Sequence, residues 1–133
     1  MNTFHLTVST PDGLLFDGEA QSLRLRMIDG ELGLLPNHEN YVSAIGAGEA
    51  VIVTAEGEKK RAACIGGMLA MIDNHAKLLA TTFEWAEEID LERAKRAKQV
   101  AEERIAASKQ DKKELMLAEA KLQRALVRIR VKS

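Results

Sequence analysis

A chain of 133 residues and 14.6 kDa, 46% hydrophobic and 29% charged, suits one domain or a small domain with an appendage, and is too apolar for wholesale disorder. No run approaches the roughly 20 apolar residues of a membrane span, and a single cysteine excludes an internal disulfide framework or a Cys-based zinc cluster. The formal net charge of -1 conceals an asymmetry: residues 1–86 hold 6 basic and 11 acidic side chains (net -5), residues 87–133 hold 13 and 9 (net +4). All nine glycines and both prolines lie at or before Gly67. Opposite sign and different composition predict two structural units. Met1–His5 has neither a basic nor an apolar leader region, so a soluble chain facing the cytosol is expected.

Along residues 1–86 the period is two. Phe4, Leu6 and Val8 alternate with His5 and Thr7, and Leu23, Leu25 and Met27 with Ser22, Arg24 and Arg26, as in strands with one wet face. Pro11-Asp12-Gly13, Asp17-Gly18, Asp29-Gly30, Gly46-Ala47-Gly48, Glu56-Gly57 and Asp73-Asn74 read as turns around apolar runs such as Val51–Val53 and Met68–Ile72. Turn signals roughly every ten residues predict an antiparallel β-sandwich or barrel. No segment has helical spacing long enough for a βαβ crossover, which excludes a Rossmann-type fold. Gly66-Gly67 is read as close backbone packing, and Cys64 as a small buried hydrophobe.

From Asp90 to about Ser108 the spacing turns helical, with Ala94, Ala97, Ala101 and Ile105 three or four residues apart. Asp90 is placed to cap this helix, and Glu92 to favour its dipole. After Ser108-Lys109-Gln110, Asp111 and Glu114 resemble a capping box. Leu115, Ala118, Leu122, Ala125, Leu126 and Ile129 then form an apolar stripe. Two such helices joined by a few polar residues predict an antiparallel hairpin over residues 87–133, giving an α+β chain: β-sandwich first, two-helix hairpin second. A hairpin this small draws its stability from whatever its stripe meets, so it is expected to be a mobile element.

Chemistry-bearing motifs are few. No phosphate loop follows the glycines, no nucleophile elbow occurs, and His5, His38 and His75 are scattered without metal-ligand spacing. The basic residues of the second half interleave with acids, and aromatics are 4% of the chain, so nucleic-acid binding is not expected. A non-enzymatic protein is expected.

Two segments carry a family resemblance: Gly30-Glu31-Leu32-Gly33-Leu34-Leu35-Pro36-Asn37-His38, and Ile89-Asp90-Leu91-Glu92-Arg93-Ala94. With the opening Phe4-His5-Leu6-Thr7-Val8 and the order of the halves, the whole chain resembles the epsilon subunit of bacterial or plastid F-type ATP synthases. The resemblance implies a β-domain at 1–86 bound to the gamma subunit and the c-ring, and a regulatory helix–turn–helix at 87–133. It implies a non-catalytic rotor subunit of the central stalk, at the cytoplasmic face of the cell membrane and touching the membrane only through the complex. The hairpin would restrain ATP hydrolysis by extending along gamma to the alpha/beta catalytic head.

No cofactor is required, but in some members one regulatory ATP favours the compact hairpin. The resemblance carries that site to Ile89, Asp90, Arg93 and Ala94, with Glu84, Arg124 and Arg128 as further contacts. Arg93 has the donors for phosphate and Asp90 an acceptor for the adenine amino group. The alternative is a helix cap and an ion pair for Asp90 and Arg93, and an exposed charged face for Arg124 and Arg128. Val100 stands where ATP-binding members carry an arginine, with Arg96 one turn earlier as a substitute. Glu31 and His38 are implied as c-ring or gamma contacts, with turn and edge structure as the alternative. A rival reading is a cupin-like, small-molecule-binding β-barrel enzyme with a helical dimerisation tail. It lacks a His pair to hold a metal. A second rival is a helical-hairpin adaptor for some other complex.

Overall fold

The computed structural model describes residues 2–133, and the chain divides between Trp85 and Ala86 into two compact units. The first unit is all β. Its strands are β1 (Phe4–Thr10), β2 (Gly13–Met27), β3 (Gly30–Leu34), β4 (Tyr41–Ala44), β5 (Ala47–Thr54), β6 (Lys59–Ile72) and β7 (His75–Trp85). They form one sheet in the order β1-β7-β6-β5-β2-β3, with β4 paired to β6. β1 pairs with β2 as well, so the path β1-β7-β6-β5-β2 closes on itself and these strands have few unpaired backbone groups to offer.

The alternation read from the sequence sets which side is core. Phe4, Leu6 and Val8 of β1, Leu23, Leu25 and Met27 of β2, Leu34 of β3, Ile52 of β5, Leu69 and Met71 of β6 and Leu78 of β7 are buried in one cluster. Each large side chain contributes about 1.5–3 kcal/mol by leaving water. Cys64 joins them, and burial pushes its thiol up to about 12, as expected of an inert core residue.

Two expectations are corrected. β1 and β7 pair in parallel, so the sheet is mixed rather than wholly antiparallel. These are the first and last strands, and no hairpin turn joins them to fix their relative direction. Asp17-Gly18 is no turn: both lie inside β2, opposite Thr7 and Leu6. An Asp-Gly pair bends the chain only where the flanking residues lack ladder partners, and here β1 supplies them along its whole length.

β6 is shared by three neighbours. Lys59–Ile65 pairs with β5, its second half pairs with β4, and β7 runs along most of it. Gly66 and Gly67 sit at the changeover with φ of 73° and 115°. A Cβ at Gly67 would collide with Leu79 O and lie 2.9 Å from Ala80 Cα. Close approach of two backbones is the role read from the sequence.

The second unit opens with a 3₁₀ turn, Ala86–Glu88, and continues as α1 (Leu91–Ala107) and α2 (Lys112–Lys132), packed on each other. Asp90 caps α1, its Oδ1 accepting from Arg93 N at 3.1 Å. Asp111 caps α2 by accepting from Lys113 N and Glu114 N. The expected capping box is only half formed, because Asp111 N donates to Ser108 O and is no longer available to Glu114. Ala94 and Ala101 of α1 and Ala118 and Ala125 of α2 are buried, which lets the helices approach closely. Ala97 and Leu126 lie outside that seam and are exposed, while Val127 and Val131, off the predicted stripe, are buried. Lys132 Nζ donates to Ala86 O at 3.1 Å, tying the end of α2 to the 3₁₀ turn.

Gly67→Ala is expected to lower the unfolding free energy by about 3 kcal/mol or more, adding a collision to a left-handed φ. Gly57→Ala, at φ 87° with nothing within 4 Å of the added methyl, should lose only about 1–2 kcal/mol. Urea denaturation of both variants compares them; equal losses would show that the backbones at Gly67 are not in close approach.

Candidate functional site

Three groups of polar side chains stand out, two on the β unit and one on the hairpin. The first is the Gly30–His38 segment. Arg26 and Glu31 face each other across β2 and β3, and Glu31 is exposed. After β3, Leu35, Pro36, Asn37 and His38 make a tight turn, with His38 N donating to Leu35 O at 3.2 Å and Asn37 at φ 64°. Proline followed by a residue at positive φ is the residue choice of a type II turn. His38 Nδ1 lies 2.8 Å from Glu39 O, and its ring meets Tyr41 edge-on at 6.0 Å between centroids. Glu31 therefore belongs to a strand and His38 to the loop after it, with Leu35 between them 60% exposed.

The second group was not foreseen. His5 Nε2 lies 2.6 Å from Asp17 Oδ1, and His5 Nδ1 lies 3.0 Å from Glu19 Oε2. Thr3 Oγ1 donates to the other oxygen of Glu19 at 2.8 Å, and the ring of His75 stands edge-on to His5 at 4.8 Å. With a carboxylate oxygen on each nitrogen, both must donate, which only the imidazolium does. The Glu19 hydrogen bond first, then that of Asp17, raises the His5 pKa above its ordinary 6.5 against partial desolvation. The Thr3 and His5 hydrogen bonds lower that of Glu19. The strand register alone makes this cluster, by setting His5 opposite Glu19 and His75 and setting Thr7 opposite Asp17. In the sequence the only signal is a lone histidine and two acids on alternating strand positions.

The third group is on the hairpin. Ala97, Val100, Ala101 and Arg104 of α1 and Lys121, Arg124 and Arg128 of α2 line a groove of about 390 Å³. Four cations converge there, and Val100 presents a half-exposed apolar side chain among them. Arg124 and Arg128 are thus brought together. Lys121, at the i-3 position on the same helix face, and Arg104 across from it complete a set that the sequence reading left unassembled. Ile89 is buried, Asp90 is engaged as the cap, Arg93 is exposed and Ala94 is in the helix seam; none of the four lines the groove. Glu84 belongs to the other unit, in β7 opposite Ala63. Among the described residues no group of three or more His, Cys, Asp or Glu could hold a metal, and no helix of theirs is long and apolar enough to cross a membrane.

The chain is thus a closed β unit followed by a basic two-helix unit, with polar clusters on strands, on a loop and in an open groove. Residues 3–86 match the family model of the ATP synthase Delta/Epsilon chain β-sandwich domain, and residues 87–133 that of its long α-helix domain. An ATP synthase epsilon chain from Syntrophomonas wolfei is 42% identical over 97% of this chain and 93% of its own. That of Shouchella clausii is 37% identical over 98% and 96%. The chain belongs to the ATP synthase delta/epsilon family, as an F-type epsilon subunit, and is a non-catalytic component of that enzyme.

Among solved structures, a chain of the Euglena gracilis mitochondrial ATP synthase (OSCP, F1 and c-ring) aligns with a TM-score of 0.81 at 22% identity, covering 92% of this chain and 77% of that one. A chain of the Tetrahymena thermophila mitochondrial ATP synthase central stalk and c-ring aligns at 0.54 and 15%, covering 64% and 68%. At these identities the likeness shows the fold. The family match replaces both the cupin-like reading and the free adaptor.

The His5 cluster makes stability pH-dependent with a definite sign. A raised His5 pKa contributes stability that is complete below 6.5 and is lost as pH rises through the folded value. A lowered Glu19 pKa contributes above 4.5 and is lost as pH falls through its folded value. His5→Gln should therefore lower the melting temperature most between pH 5 and 6.5, with the gap to the parent closing at alkaline pH. A gap that does not change with pH would show that His5 is not held as the cation.

Proposed function

We propose that this chain is a central-stalk rotor subunit of a proton-translocating F-type ATP synthase, held by its β unit against the gamma subunit and the c-ring. The observation that carries the reading is the family match across both units at close to full length. The complex sits on the membrane, and the chain belongs to its cytoplasmic face.

A surface suited to a permanent partner supports this reading. Val42 of β4, Met68 and Ile72 of β6 and Leu79 of β7 are 60, 44, 46 and 55% exposed. Register sets Val42 beside Ala70 and sets Ala44, Met68 and Leu79 side by side, so they share one sheet face. A clustered apolar face on a closed sheet fits an obligate contact, and gamma is the partner proposed for it. Glu31 and His38, on and after β3, are the proposed contacts to the c-ring and the foot of gamma.

The hairpin is the regulatory part. Its net charge of +4 and its four-cation groove favour an acidic surface on the alpha/beta head, where it would restrain hydrolysis. The same groove suits the phosphates of a regulatory ATP, because Arg104, Lys121, Arg124 and Arg128 line it with cationic donors. Of the other residues proposed for that site, Arg93 is the exposed one on α1 and would add a further donor. Val100 removes one cation from the set, which weakens rather than abolishes it. Bound ATP would hold the hairpin compact only through tighter binding to that form.

Reconstitution of the cognate F1 core tests the regulatory role. The full chain should suppress ATP hydrolysis and residues 1–86 should assemble without suppressing it; suppression by both would remove the hairpin from the mechanism. For the nucleotide, Arg124→Ala with Arg128→Ala should weaken ATP binding by about tenfold or more, the loss of two charge-assisted contacts. Equilibrium dialysis of the intact chain reads this, and unchanged binding would place the phosphates elsewhere.

A further inference from the structure

The turn between β6 and β7 has two residues, Asp73 and Asn74, at φ 49° and 63°. Positive φ at both central positions is a type I′ turn, for which glycine is the easiest second residue. Asn74 stands there instead, and its side chain reaches far from its own hairpin. Its Oδ1 accepts from Asn37 N at 2.7 Å, and its Nδ2 donates to Thr3 O at 3.0 Å. The partners are 37 and 71 positions away in sequence. The neighbouring residue repeats the link in the opposite sense, with Asp73 N donating to Asn40 Oδ1 at 3.0 Å.

The turn Leu35–His38 uses His38 N for its own closing bond and leaves Asn37 N over. That leftover donor is the one Asn74 takes. The loop between β3 and β4 is therefore fixed at both ends of its exposed stretch, by Asn74 at Asn37 and by its own Asn40 at Asp73. Between these two anchors stand only His38 and Glu39. The other arm of Asn74 ties the same point to Thr3, whose hydroxyl is bound to Glu19 of the His5 cluster.

We propose that Asn74 is a positioning residue for the stalk-contact loop: its carboxamide latches the β3–β4 loop to the β6–β7 turn and so presents His38 in one orientation to the rotor. This rests on the reading of His38 as a contact made above. The latch stores the loop's ordering in the free subunit, so that less conformational freedom is lost on assembly. A glycine would serve the turn as well and would give none of this, which is why the amide, and not the backbone, is the functional part.

The test uses the full chain and three variants. Asn74→Gly keeps the turn and removes the amide; Asn74→Asp keeps the acceptor for Asn37 N; His38→Ala removes the presented side chain. Amide hydrogen exchange at Asn37 and His38 reports the latch, binding to the purified gamma–c-ring rotor reports the contact, and the melting temperature reports global folding. Asn74→Gly should speed exchange at Asn37 about tenfold or more and weaken rotor binding by about fivefold, with exchange in β1 and β5 unchanged. Asn74→Asp should stay within about threefold of the parent in exchange at Asn37. Unchanged exchange in Asn74→Gly, or an Asn74→Asp variant as fast as Asn74→Gly, overturns the latch. Faster exchange with unchanged rotor binding overturns the positioning role. In that case unchanged binding by His38→Ala as well traces the failure to the contact reading, and weakened binding by His38→Ala confines it to Asn74.

Discussion

The β unit depends on one close approach. At Gly67 the backbone of β6 comes against Leu79 O and Ala80 Cα of β7 with no room for a side chain. That contact lets a single strand of 14 residues leave β5, gain β4 and keep β7 along most of its length. The path itself closes through the pairing of β1 with both β2 and β7, and the core side chains from Phe4 to Leu78 share one buried cluster. A close-packed interior tolerates little adjustment, so the register set at this point is inherited by every other strand.

That inherited register explains where the polar groups ended up. His5, Glu19, Asp17 and His75 come from three strands and meet only because the closed path sets β1 between β2 and β7. Thr3 meets Asn74 for the same reason, and Asn37 meets it because β4 pairs with β6. None of these residues is close to its partner in sequence. A scaffold whose backbone bonds are satisfied by ring closure is free to place such polar contacts at its rim without weakening its core.

Local features were legible in the sequence. The alternation at Phe4–Val8 and Leu23–Met27 gave the strands, Asp90 and Asp111 gave the helix starts, and Gly66-Gly67 gave the tight packing, because each of these depends on neighbours within a few residues. Asp17-Gly18 misled because a dipeptide's turn preference is weaker than a full ladder of cross-strand bonds. The parallel pairing of β1 with β7 was hidden because chain ends carry no turn signal. The groove was half visible: Arg124 and Arg128 are one turn apart, but Arg104 joins them only through the packing of two helices. Val127 and Val131 escaped because valines off a stripe read as surface until the fold shows them buried.

The two caps of the hairpin bear on how it can change shape. Asp90 accepts from Arg93 N at the start of α1, and Asp111 from Lys113 N and Glu114 N at the start of α2, each from the residue immediately before its own helix. The break between the helices is therefore self-contained: neither helix end relies on the other helix for its hydrogen bonds. Separating α1 from α2 exposes a seam of alanines, Ala94, Ala101, Ala118 and Ala125, but orphans no backbone donor at the helix starts. Each of these small side chains loses little when uncovered. In the regulatory role proposed for the hairpin, the helices would swing as rods about the joint at residues 108–110, their starts still capped.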